Sequence, residues 1–178
     1  MKINAKSTSI MILLALLVIL FTISLSSVSA VETNITSGDN LGQTIENTPN
    51  GSIIHLNSGK YRNNVTNITI DKNIIIIGKN KKNTIIDAQN LGRIFNMHSN
   101  GTLTLINITL INGLSDNGSA IYNDGGKITL NNLDFINNTA TTHFSSAGGV
   151  IYNTGDDMKI MNTNFINNTL NSYYGGLG

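Results

Sequence analysis

The sequence predicts an all-β fold, a right-handed parallel β-helix of roughly five coils with a short N-terminal capping helix. Three observations predict it. Asn and Ile supply 29 and 27 of the 178 residues, and neither favours a helix interior. Two stretches, 120–140 and 150–170, repeat at an offset of 30 with ten of 21 aligned pairs identical. Inside each copy, short apolar pieces alternate at period two and close on Asn, as Ile128 and Leu130 do before Asn131-Asn132, and Leu133 and Phe135 before Asn137-Asn138. That period means strand. Asn tolerates the left-handed backbone of a tight corner, so three strands and three corners make one coil. Coils stacked about 4.8 Å apart then form three parallel sheets with Ile, Leu and Phe inside.

Along the chain, Lys2 and Lys6 precede an uncharged apolar run from Ile10 to Ile23, followed by Val28-Ser29-Ala30. This reads as an export signal over 1–30 with cleavage after Ala30, because the run is shorter than the roughly 20 residues of a spanning helix; an uncleaved anchor is the alternative. Either way the body lies outside the cytoplasm, secreted or at the cell surface, and touches a membrane only through that segment. Residues 31–50 read as a linker and cap. Positions 31–38 are polar and loose, and 39–48 form the helix, with Asp39 or Asn40 as N-cap and Leu41 and Ile45 on one face. The β-helix then fills 51–178. Its early coils use SIIHL (52–56), NITI (67–70), NIIII (73–77) and TIID (84–87), with Gly59, Gly78 and Gly92 at turns. A looser copy of the repeat spans 93–113. The array ends at Tyr173-Tyr174-Gly175-Gly176-Leu177-Gly178, which holds no polar cap, so self-association through this end, or a longer natural chain, is expected.

Composition narrows the function. A net charge of +1 offers no field for nucleic acid, and zero Cys excludes a disulfide scaffold, a thiolate metal site and a cysteine nucleophile. Aligned copies set Asp134 beside Thr109 and Asn164, and Asp124 beside Thr154, so no column holds two acids. The one constellation with cation-ligand character is diagonal, Asp124 with Asp156 and Asp157, a weak Ca²⁺ candidate set against the reading of solvated turn residues. His55 points outward from a strand, His98 lies in a turn and His143 in a loop, never two together. Arg93 beside Asp87 reads as a surface ion pair, and Ser145-Ser146 lacks a nucleophile-elbow context. Nine Asn-x-Ser/Thr sequons occur, among them Asn137 and Asn167, and a ladder of corner amides explains each at least as well as glycosylation does.

Gly148-Gly149 before Val150-Ile151, with Phe135-Ile136-Asn137-Asn138 and Phe165-Ile166-Asn167-Asn168, resembles the GGA[ILV] and FxxN repeats of the polymorphic outer-membrane-protein family. Gly118-Ser119-Ala120-Ile121 carries Ser for the second Gly, and Gly175-Gly176-Leu177 is a further partial copy. The chain from about residue 41 is similar to adhesin-like right-handed β-helix proteins of cell surfaces. The resemblance implies structural repeat roles for Phe135, Asn138, Gly148, Gly149, Phe165, Asn168, Gly175 and Gly176, no cofactor, and a non-enzymatic rod presenting itself to a glycan or protein partner. The competing expectation is a carbohydrate-active enzyme of the same fold, a polysaccharide lyase or glycoside hydrolase.

Overall fold

A computed structural model describes residues 29–98, 101–142, 148–155 and 157–173. The predicted export signal up to residue 28, His143, Ser145, Ser146, Asp156, Tyr174, Gly175 and Gly176 lie outside the described residues. The remainder is a parallel β-solenoid of about four turns with one short helix. Strand β1 (Glu32–Ile35) precedes helix α1 (Leu41–Asn47). A first coil follows with β2 (Ser52–Leu56), β3 (Gly59–Tyr61) and β4 (Ile68–Ile70), and a second with β5 (Asn73–Gly78), β6 (Thr84–Asp87) and β7 (Phe95–His98). The third holds β8 (Thr102–Ile106), β9 (Thr109–Ile111), β10 (Leu114–Ser115) and β11 (Ile121–Asp124). The fourth holds β12 (Lys127–Asn131), β13 (Asp134–Ile136), β14 (Thr139–Thr142) and β15 (Ile151–Asn153). A further coil begins with β16 (Met158–Met161), β17 (Asn164–Ile166) and β18 (Thr169–Ser172).

These strands stack in parallel register into four sheets: β1-β2-β5-β8-β12-β16 as sheet 1, β3-β6-β9-β13-β17 as sheet 2, β4-β7-β11-β15 as sheet 3, and β10-β14-β18 as sheet 4. Three sheets are expected from the repeat and four are observed. The fourth comes from the short segments that follow the left-handed corners at Asn112, Asn137 and Asn167, which pair Leu114 with Thr139 and Thr139 with Thr169 rather than looping free. Residues 32–35 are also not loose. Glu32 to Ile35 pair with Ile53 to Leu56, the Ser52 hydroxyl accepts from the Val31 N–H at 2.8 Å, and Ile35 is buried.

Inside the coil, alternation becomes columns. Ile54, Ile76, Leu105, Leu130 and Ile160 face one another across successive strands of sheet 1, and Tyr61, Ile86, Leu110, Phe135 and Phe165 do so in sheet 2. Each buried member contributes about 1.5–3 kcal/mol by leaving water. Phe135 and Phe165 stack with ring centroids 5.0 Å apart and planes 4° apart. The expected inward set of Ile128, Leu130, Phe135, Ile160 and Phe165 is therefore in register, but not equally buried. Ile128, Leu130 and Phe135 are at most 1% exposed, whereas Ile160 and Phe165 are 41% and 49% exposed, because no described coil lies above β16 and β17.

Helix α1 covers the other end. The Asn40 side chain accepts from the Gln43 N–H at 2.9 Å, fixing Asn40 as N-cap, while Asp39 accepts instead from Thr36. Leu41 and Ile45 enter the core. The ammonium of Lys72 donates to the carbonyls of Ile45, Glu46 and Thr48 at 3.3, 2.8 and 3.0 Å, satisfying carbonyls that a helix C-terminus leaves open.

Corners split their work between neighbouring Asn residues. Asn107, Asn132 and Asn162 form one left-handed column, and Asn112, Asn137 and Asn167 another, all with φ between 51° and 58°. Asn138 and Asn168, one residue later, turn their carboxamides into the stack.

Candidate functional site

Six of the eleven Lys and Arg fall between Lys60 and Lys82, against a single acid, Asp71. The outer face of sheet 2 gathers several of them. In β3, Tyr61 points inward, where its hydroxyl donates to the carbonyls of Ile35 at 3.0 Å and Asn57 at 2.9 Å. Burial pushes that phenol up to about 12, aided by the nearby Asp39 charge. Its neighbours on either side, Lys60 and Arg62, must therefore face out, as period two demands.

Both cations reach Asp87, the last residue of β6. Arg62 Nε donates to Asp87 Oδ2 at 3.0 Å and Lys60 Nζ lies 3.8 Å from the same oxygen. Asp87 Oδ1 accepts from Asn112 Nδ2 at 2.7 Å and from the Gln89 N–H at 3.0 Å. Burial works to raise the Asp87 carboxyl, but the hydrogen bonds from Asn112, Gln89 and Arg62 outweigh it and hold the group below the ordinary carboxylate value. Two cations on one buried carboxylate leave a local surplus of one positive charge, with Lys60 and Arg62 about half exposed. Further up the face, Lys81 Nζ pairs with Asp134 Oδ1 at 2.8 Å, and Asn164 Nδ2 donates to that oxygen at 2.7 Å. Lys79 and Lys82 stand exposed on the turn between β5 and β6.

This cluster was not legible from the whole-chain charge of +1, which hides the local excess; a sliding charge count would have found it. The structure also re-pairs the residues singled out in the sequence. Asp87 meets Arg62 and Lys60 rather than Arg93. Arg93 instead donates to the carbonyls of Asn117 and Gly118 and to Ser115 Oγ, pairs with Asp116 at 3.3 Å, and lies 4.8 Å from the Tyr122 ring centroid. His55 is on the outer face of sheet 1, 3.0 Å from Glu32 Oε1. His98 ends β7 rather than occupying a turn. Asp134 faces Thr109 and Asn164 as the alignment requires.

Of the diagonal cation candidate, Asp124 accepts from Thr154 Oγ1 at 3.3 Å and Asp157 lies 4.0 Å from Lys159 Nζ; Asp156 is outside the described residues. Among the described residues no three His, Asp or Glu gather as a metal site. The glycine pair of the repeat has a backbone reason. Gly118 and Ser119 donate to the carbonyls of Gly148 and Gly149 at 2.8 and 2.9 Å. Gly118 has φ +53°, and a Cβ at Gly148 would lie 2.5 Å from the Ile151 carbonyl oxygen.

No protein-family model matches the chain, and no curated protein matches it significantly. Among solved structures, the fold is similar to that of an alginate lyase of family PL6, AlyGC, with a TM-score of 0.60 at 21% identity over 76% of this chain and 20% of that one. An arginine-to-alanine mutant of the same enzyme gives 0.58 at 21%, over 79% and 20%. The chain spans about a fifth of the length of these lyases, and the likeness is one of fold. It overturns the expectation of a non-enzymatic rod: the solenoids with which this chain shares its coil are catalysts. That expectation drew on the export signal, the repeat resemblance and the absence of clustered carboxylates, whether an acid–base pair or a set of Ca²⁺ ligands, a search that passes over chemistry carried by cations.

Proposed function

We propose that this β-solenoid is a carbohydrate-active enzyme of the polysaccharide-lyase type, acting on an acidic, uronate-containing glycan. The observation that carries the reading is the convergence of Lys60 and Arg62 on Asp87, on the outer face of sheet 2. In a uronate the C5 hydrogen is α to a carboxylate. Lyase cleavage removes that proton, forms the C4–C5 double bond and expels the C4 oxygen, which takes up a proton. The carboxylate must be neutralised for the proton to leave, and the outer nitrogens of the Arg62 guanidinium suit it, since only Nε is committed to Asp87 and a guanidinium binds carboxylate in a fork. Lys60, on the same face, is the candidate for proton transfer. A hydrolase would need two carboxylates across the scissile bond; the outer columns of sheet 2 offer Asp134 and Asp87 singly, each already paired with a cation.

The charged start, apolar run and Val28-Ser29-Ala30 support action outside the cytoplasm, as does the resemblance of the repeats to surface proteins. Incubation with polyuronates and with neutral glycans tests the function: unsaturated products, detected by their ultraviolet absorbance, are expected from the polyuronates alone.

A further inference from the structure

We propose a second carbohydrate-binding face, distinct from the cationic one: an outward row on sheet 3 formed by Thr69, Asn96, Tyr122 and Tyr152, which takes an extended, neutral 1→4-linked glycan lying along the solenoid axis. The register places these four residues opposite one another on β4, β7, β11 and β15. One side chain therefore recurs per coil, at about the 4.8 Å spacing of paired strands, a rise comparable to that of one sugar in an extended 1→4-linked chain. Successive sugars meet successive equivalent positions.

All four side chains carry hydrogen-bonding groups without a partner among the described residues, although every one is at least partly exposed. The contrast with Tyr61 is direct, since that buried phenol has two acceptors. The aromatic pair is also pre-set. Tyr122 and Tyr152 stack at 5.0 Å with planes 8° apart, and Arg93 lies beneath Tyr122 at 4.8 Å, itself fixed by Asn117, Gly118 and Ser115. Both faces of Tyr122 are thus occupied, and it presents its edge and hydroxyl. Tyr152, stacked on it one coil above, likewise turns its edge and hydroxyl toward a chain running along the axis. Rigid aromatics lose little freedom on binding.

Charge selects the ligand class. The row itself is neutral, Arg93 is spent on carbonyls and Asp116, and the groove of about 410 Å³ at the Thr69 end is lined by Glu46 and Asp71, with Lys72 turned to the helix carbonyls. A neutral chain fits this face better than a polyuronate, which belongs on sheet 2.

Affinity electrophoresis of the full chain through gels containing a soluble neutral 1→4-glucan tests the row. Retardation is expected for the parent, with affinity falling at least tenfold in Tyr152→Ala and several-fold in the Tyr122→Phe/Tyr152→Phe pair, which keeps the stack and removes only the hydroxyls. Lys60→Ala/Arg62→Ala should keep neutral-glycan binding while losing action on polyuronate, so failure of the lyase reading leaves this result standing. An unretarded parent, or retardation indifferent to the Phe pair and to Tyr152→Ala, overturns the proposal.

Discussion

Asn168 sits one coil above Asn138, and its Oδ1 accepts from both the Asn138 backbone N–H at 2.9 Å and the Asn138 side-chain amide at 3.0 Å. Below, Asn138 Oδ1 accepts from the Gly113 N–H at 2.8 Å, and its amide also donates to the Leu110 carbonyl at 3.1 Å. Asn138 is fully buried, so Asn138→Ala strands a donor and an acceptor and should cost about 2–6 kcal/mol, counting roughly 1–3 for each group left unpaired. Asn168→Ala, in a more open coil, should cost about 1 kcal/mol. Urea unfolding of both variants checks the order.

The aromatic column gives a second graded test. Phe135 is fully buried and Phe165 is not, although the two rings stack. Phe135→Ala should cost about 3–5 kcal/mol and Phe165→Ala roughly half as much. Equal losses in calorimetry would mean that something covers Phe165.

Two glycines of the repeat should be intolerant and one permissive. A methyl at Gly118 meets the Ile121 carbonyl and, at 2.9 Å, the Tyr152 nitrogen, on a backbone with φ +53°; at Gly149 the nearest atom is Leu170 Cβ at 3.7 Å. Gly118→Ala and Gly148→Ala should each lower stability by more than about 1 kcal/mol, and Gly149→Ala should melt with the parent.

Asp87 supplies a pH dependence. Its carboxyl is held below its ordinary value in the folded state by Asn112, Gln89 and Arg62, against the opposing effect of burial. A group depressed on folding contributes stability that is complete above its unfolded value, about 3.9, and is lost as pH falls through the folded one. The parent should therefore exceed Asp87→Asn in stability at pH 7, and the gap should narrow progressively as pH falls below about 3.9. A gap that stays constant across that range would assign the Asp87 contacts no electrostatic role.

Strands and corners were legible because coil packing imposes period two on apolar residues and left-handed turns on Asn, and both leave a mark in a single repeat. Ile128, Leu130 and Phe135 could be placed from the sequence for that reason. The edge strand at Glu32–Ile35 could not, since a polar outer strand looks like a linker until its partner β2 is known. Nor could the fourth sheet, whose short strands carry little apolar signal. The site was the least legible part. Lys60, Arg62 and Asp87 lie up to 27 positions apart and meet only because β3 and β6 pair with Gly59 opposite Thr84. A search for acids repeated in one column passes over a cation pair that one acid draws together.

The central claim, elimination chemistry at the Lys60–Arg62 face, is tested most directly by following ultraviolet absorbance while the parent and Lys60→Ala/Arg62→Ala are incubated with a polyuronate. The account predicts steady appearance of unsaturated chain ends with the parent and at least a hundredfold slower appearance with the double variant, both assayed well below their melting temperatures because the variant leaves the buried Asp87 without its cations and melts lower. Absence of absorbance with the parent, new reducing ends without absorbance, or equal rates from the two proteins would contradict it.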